Sequence, residues 1–292
     1  MQAATAGRIP PEELDALFDD AVRDTLRRFE DTGSPVVTDG EQRKPSFATY
    51  PVAGLTTLAS GGVTIPFRDG HTRQLPLLTT SPFRYATYAW SYLDGARRKT
   101  TAQLKQAVIS ASALSLMYPQ DGIDGIREKP SSTTWSPRRH PRSAAVSSVA
   151  RPSRSISPRH VCRSSSTHSA DIPYEELLPG LFRMNVNTFY VQLASEADRE
   201  RVLKILGNHA TGDRRIFVGV IDPIDPRVET AEEVRDRVLE AARFIDPSHL
   251  GTTDDCGFSP FGDDTSTSRD PGFAKIQARI TGTALASRVL GV

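Results

Sequence analysis

Cysteine is almost missing from this chain, with two in 292 residues. That excludes a disulfide framework and points to a reducing compartment, the cytoplasm. Long apolar runs are missing too. None approaches the ~20 residues that span a bilayer, and residues 1–11 show no basic stretch followed by an apolar one. The reading is a soluble protein without a membrane partner. Hydrophobic residues make up 38% of the chain, low for a compact domain, so some segment is expected to stand outside the core. Net charge is nearly absent at +1, but this averages two unlike parts.

Acidic residues are wholly absent between Lys129 and Ala170, a stretch that holds eight Lys or Arg. The rest of the chain is therefore acidic by about seven charges, as many cytosolic enzymes are. The same 42 residues carry thirteen serines and five prolines with almost no apolar periodicity. Such a composition cannot offset its chain entropy by burial and predicts a disordered Ser/Arg/Pro-rich insert. Three readings stand: a flexible linker, a basic arm that touches RNA or phosphate, or coding sequence lost or read out of frame. The abrupt changes at Gly125 and near Ser166 favour the third. Nucleic acid is disfavoured, because no basic stripe or RNA-binding module occurs elsewhere.

What is present is an alternation of strands and helices. Leu14, Leu17, Phe18, Ala21, Val22, Leu26 and Phe29 recur at helical spacing over residues 12–29. Strand-like runs follow at 36–38, 75–80, 104–109, 189–193, 215–221 and 250–253, with helical patterns at 85–93, 174–182, 196–206, after Thr230 and at 271–289. Thr230 and Glu233 are spaced as a capping box. The run 215–221 is apolar almost throughout, as in a strand buried on both faces of a parallel sheet. Polar residues gather just after the strands: Asp39 and Glu41, Ser110, Gln192, Asp222, then Asp255 and Cys256. A (β/α)8 barrel keeps its active site at that end. The fold class is therefore α/β of the TIM-barrel type. Six strands rather than eight make it an incomplete barrel, in two parts, 1–128 and 171–292, around the basic segment 129–170.

Three stretches carry a specific resemblance: VGVIDPIDPRVET from Val218 to Thr230, DDCG from Asp254 to Gly257, and TDGEQR from Thr38 to Arg43. The run KQAVIS from Lys105 to Ser110 adds to them. Together they resemble the cobalamin-independent methionine synthase family. The likeness is greatest to its shorter single-barrel members, the 5-methyltetrahydropteroyltriglutamate–homocysteine methyltransferases. It covers residues 10–125 and 167–292. The resemblance implies a zinc ion held by a His-x-Cys pair, an acidic or polar residue and a late cysteine. Cys256 matches the last ligand, Gln192 falls where a glutamate is common, and His160-Val161-Cys162 spells the pair. It further implies that homocysteine sulfur attacks the methyl of a methylated folate, giving methionine.

Each of these residues also has a plainer reading. Cys256 is a good soft ligand after a strand, yet free cysteines are often small buried hydrophobes. His160 and Cys162 lack a preceding β-rich run, so a chance match competes with ligation. Asp39 and Glu41 either fix the turn at Gly40 or touch the amino-acid substrate, and Asp222 either braces the Pro223–Pro226 turn or contacts substrate. His168 and His249 read as solvated loop residues. No residue is singled out as catalytic. Alkyl transfer involving another small thiol such as coenzyme M is a related possibility. A non-catalytic remnant or pseudoenzyme is the reading from another class.

Overall fold

The computed structural model describes residues 9–66, 72–80, 84–109, 114–119, 122–123, 155–156, 174–184, 186–255, 257–258 and 267–292. They divide between two units, each of which is taken by itself.

The first unit opens with α1 (Pro11–Asp31), whose first turn carries Glu12 and Glu13 and whose last carries Arg28, matching the helix dipole. It continues through β1 (Val36–Val37), β2 (Leu58–Ala59), β3 (Thr64–Pro66), β4 (Thr72–Gln74), β5 (Leu77–Leu78), α2 (Ala89–Arg97) and β6 (Gln103–Leu104). β1 and β6 pair in parallel, Val36 opposite Gln103. Val22 and Leu26 of α1 pack with Val37 and Ala96 in one small core. A second gathers Val52, Leu78, Leu114 and Met117. The strand expected over 75–80 is only two residues long and pairs antiparallel with β2, while β3 and β4 form a second antiparallel pair. The strand expected over 104–109 is likewise shorter, and the helix expected over 85–93 runs as α2.

The second unit holds β7 (Ser155–Ile156), α3 (Tyr174–Leu181), β8 (Thr188–Val191), α4 (Arg199–Gly207), β9 (Arg215–Ile221), α5 (Ala231–Ala242), β10 (Leu250–Asp254) and α6 (Arg269–Leu290). Its sheet runs β10-β9-β8-β7, every pair parallel. Strand β9 lies inside this sheet, and Ile216, Val218, Val220 and Ile221 are all fully buried, as the apolar run predicts. The capping box of α5 is formed: Thr230 Oγ1 accepts from Glu233 N at 3.1 Å, and Glu233 accepts from Thr230 N at 2.7 Å. Helix α4 starts later than expected, because Asp198 rather than Glu196 supplies its N-terminal acceptor, to Arg201 N at 3.0 Å.

Two residues of the basic segment are described. Ser155 and Ile156 form β7, parallel to β8 with Ser155 opposite Thr188. Composition argued against any regular structure there, but a two-residue ladder needs only main-chain groups and a neighbouring strand edge. The other residues of 129–170 lie outside those described.

Among the described residues of this unit, one charged pair is fully buried. Lys275 and Glu229 are both buried, with Lys275 Nζ 2.8 Å from Glu229 Oε2. The ammonium also donates to the Asp222 carbonyl at 3.0 Å and to that of Arg227. Glu229 Oε1 accepts from Asp222 N at 2.8 Å, with Arg237 Nη1 at 3.6 Å. All three ammonium donors and both carboxylate oxygens are engaged, which is the condition for tolerating two desolvated charges. Lys275→Met strands the Glu229 carboxylate and is expected to cost about 3–5 kcal/mol in urea unfolding. Lys275→Met with Glu229→Gln should recover most of that loss.

Candidate functional site

In the first unit the loop after β1 is built on two consecutive left-handed residues, Gly40 (φ 65°) and Glu41 (φ 57°). Gly40 has no alternative, since a Cβ there would lie 2.8 Å from Thr25 Cγ2. Glu41 is not a glycine and carries a backbone cost of about 1 kcal/mol. Asp39 is buried, and its Oδ1 accepts from Glu41 N at 3.0 Å, which closes the turn. Burial pushes the Asp39 carboxyl above its ordinary value, opposed by that hydrogen bond and by the nearby Lys44 charge.

Two adjacent cations fix this loop on its two sides. Arg43 donates to Asp15 Oδ1 at 2.6 Å and pairs with Asp19, which Lys99 also reaches at 2.7 Å. The Lys99 and Arg43 hydrogen bonds hold the Asp19 carboxyl down to about 2. Lys44 turns inward: its Nζ lies 2.8 Å from Glu41 Oε1, 2.7 Å from the Ala107 carbonyl and 4.7 Å from the centre of the Tyr50 ring. Tyr50 is pushed up to about 12, mainly by burial. Neither Lys44 nor its aromatic cradle was legible as a site feature. Lys44 followed the TDGEQR motif as an ordinary surface-type residue, and nothing in its spacing announces burial.

In the second unit Gln192, Asp222 and Asp255 follow the C-terminal ends of β8, β9 and β10. Gln192 is buried, and its carbonyl accepts from Tyr174 Oη at 2.9 Å. Asp222 has its main chain gripped at both ends by Glu229 and Lys275, and its carboxylate accepts from Ile224 N at 2.9 Å, an Asx-type turn. The turn-bracing role read for Asp222 is thus occupied by one of its oxygens.

Asp255 is the most engaged of the three. Oδ1 accepts from Leu193 N at 2.8 Å and Ala194 N at 2.9 Å, while Oδ2 accepts from Ser195 N at 3.1 Å and Ser195 Oγ at 3.2 Å. Three successive N–H groups converging on one carboxylate form an anion nest. To reach them the side chain passes over Gly219 of β9, where any Cβ would fall on the carboxylate and 2.9 Å from Leu193 N. A register shift helps: Thr253 faces Gly219 but Asp254 faces Ile221. The extra residue, Val220, gives its carbonyl to Arg237 Nη1 at 2.8 Å. Bulges of this kind re-aim side chains at strand ends.

Ser110, Cys256, His160 and Cys162 lie outside the described residues. Of the four proposed metal ligands only Gln192 is described, and its side chain is a neutral amide. Among the described residues no group of three or more His, Cys, Asp or Glu side chains could hold a metal ion, so these residues do not by themselves fit zinc. His168 is also outside them. His249 is partly buried with Nδ1 2.6 Å from the Arg214 carbonyl, so it is a fixed strand-end residue rather than a solvated one.

Comparison with known proteins converges on one family. Residues 145–268 match the family model described as "Cobalamin-independent synthase, Catalytic domain", a match that begins inside the basic segment. The chain is 24% identical over 290 residues to a methionine synthase of Sulfurisphaera tokodaii, covering 86% of this chain and 79% of that one. A methionine synthase of Sulfolobus acidocaldarius is 22% identical over 288 residues, covering 86% and 78%. Among solved structures, a B12-independent methionine synthase from Shewanella sp. W3-18-1 in complex with selenomethionine superposes with a TM-score of 0.70. It shares 16% identity over 97% of this chain and 92% of its own. A second, the putative vitamin-B12 independent methionine synthase from Listeria monocytogenes, gives 0.56 at 14% identity over 98% and 91%. The class is thus an α/β fold like that of these solved structures, with polar residues at the strand ends. More particularly, the family match over residues 145–268, the relatives and the solved structures all point to the cobalamin-independent methionine synthase family.

Asp255 makes the site pH-dependent. Desolvation pushes its carboxyl up to about 6 from 3.8, against the hydrogen bonds from Ala194, Leu193 and Ser195. Between those two values the folded chain binds a proton that the unfolded chain does not, so stability falls as pH rises through the window. The full drop is on the order of 3 kcal/mol. Asp39, also raised, slopes the same way. Denaturant unfolding of the wild type and Asp255→Asn from pH 4 to pH 7 separates the two. The difference between the curves should shrink as pH rises and flatten above pH 7.

Proposed function

We propose that the chain is a zinc-dependent methyltransferase that carries the methyl group of 5-methyltetrahydrofolate, in polyglutamate form, to homocysteine and yields methionine. The observation that supports this most is the placement of Gln192, Asp222 and Asp255 after the C-terminal ends of three adjacent parallel strands, within the residues that match this family's catalytic-domain model.

In this reading Cys256, His160, Cys162 and Gln192 would hold the zinc, which would supply the charge that keeps a bound thiol as its nucleophilic thiolate. Asp255 immediately precedes Cys256, and Leu193, its hydrogen-bond partner, immediately follows Gln192. The brace thus fixes the main chain beside both proposed ligands. Asp39 and Glu41 receive the ammonium of the amino acid, for which two carboxylates are the natural acceptors. Ser110, Asp222 and Asp255 complete the proposed set of substrate-binding residues. The barrel interrupted by the basic segment 129–170 belongs to the same proposal, as does a cytoplasmic location.

The test is the metal content and activity of the purified, folded chain. About one zinc per chain is expected. Methyl transfer from methylated folate to homocysteine should stop with a chelator and with Cys256→Ala. A folded chain with no zinc and no transfer would instead be a non-catalytic remnant.

A further inference from the structure

The loop after β1 contains a device that substrate contact alone does not explain. Glu41 holds a left-handed backbone conformation that L-residues disfavour, and the residue that grips its carboxylate is a buried lysine. A buried ammonium persists only when its donors are used, and those of Lys44 are. One goes to Glu41 Oε1 at 2.8 Å and another to the Ala107 carbonyl at 2.7 Å. The remaining face of the charge rests on Tyr50 at 4.7 Å and Tyr92 at 5.7 Å from the ring centres. Tyr50 and Tyr92 meet edge to face, 5.9 Å between centres, so the aromatic seat is itself rigid.

We infer that Lys44 is a positioning residue for the Glu41 carboxylate, presetting it for the substrate ammonium. The inference rests on the reading of Glu41 as a substrate contact and adds what fixes it. Three geometric features separate this from a plain loop weld. The turn could close through Asp39 Oδ1 and Glu41 N without any side chain at 41. Loop attachment to α1 is already made by Arg43 through Asp15 and Asp19. And Lys44 spends one of its donors on the side chain of the strained residue, which fixes where that carboxylate points.

Lys44 therefore acts on the ligand through Glu41 and not directly. One carboxylate oxygen is drawn to the ammonium at 2.8 Å. The pair is partly exposed on the Glu41 side, where the side chain is 24% accessible against 1% for Lys44. Loss of Lys44 frees the carboxylate to rotate and adds an ordering cost to binding.

The experiment is a double-mutant cycle on the full chain, with L-homocysteine and L-methionine binding read by calorimetry and folding by thermal unfolding. Lys44→Met is expected to weaken binding about tenfold, and Glu41→Gln by at least as much. In the Glu41→Gln background, Lys44→Met should change affinity less than about twofold further, because its route is already cut. If the two effects multiply instead, Lys44 does not act through Glu41 and the inference fails. Unchanged affinity in Lys44→Met with a lowered melting temperature also overturns it. If Lys44→Met does not fold, Lys44→Gln, which keeps a donor for Ala107, takes its place in the same cycle. Wild-type chain that binds neither amino acid, while folded, refutes the substrate reading and this inference with it. Binding by Glu41→Gln equal to wild type refutes the role of Glu41 while leaving the family intact.

Discussion

The hydrogen bonds from the loop after β8 to the Asp255 carboxylate are the constraint on which the strand-end surface of the second unit depends. A parallel sheet leaves the main chain at each strand's C-terminal end without a ladder partner, and those N–H groups must find acceptors. Asp255 serves three of them at once, from a neighbouring but one strand, across a glycine. The next loop solves the same problem with Glu229, which takes the Asp222 N–H, and with Lys275, which takes the Asp222 and Arg227 carbonyls. Two loops are therefore fixed by buried charge rather than by apolar packing. The cost is desolvation, visible in the raised Asp255 carboxyl. The return is a set of strand ends that do not need substrate in order to be ordered.

The parts of the fold that could be read from sequence share one property: their pattern is local. The apolar run of β9, the capping box of α5 and the periodicity of α1 are each satisfied within a dozen or two residues, and the structure follows them closely. The residues around 58–78 have short polar-apolar runs whose pairing is decided by turns, so a parallel strand was expected where an antiparallel pair stands. Ser155 and Ile156 show the same limit from the other side. A strand added at a sheet edge draws on the edge of β8, and nothing in Arg-Ser-Ile-Ser announces it.

The site divides in the same way. Asp222 and Asp255 were legible as strand-end polar residues, but their distant partners were not: those lie 60 or more residues away for Asp255, and Lys275 lies 53 away from Asp222. Sequence could say that Asp222 follows a buried strand. It could not say that a lysine on the last helix holds its carbonyl. Lys275 sits on the helix pattern as one more polar position, and only the packing of α6 on the loop makes it interior.

The two units use their buried lysines differently, and the contrast bears on function. Lys275 is enclosed with Glu229, and both partners are withdrawn from solvent, so its work is to hold main chain. Lys44 is equally buried, but its carboxylate partner keeps a solvent-facing side and stands in a strained backbone conformation. A purely structural pair gains nothing from strain or from leaving one partner partly open. A carboxylate that must meet a ligand's charge gains from both, since orientation is fixed in advance and one face stays available. On the proposed reading the loop after β1 is organised for binding, whereas the Glu229–Lys275 pair holds its own loop still.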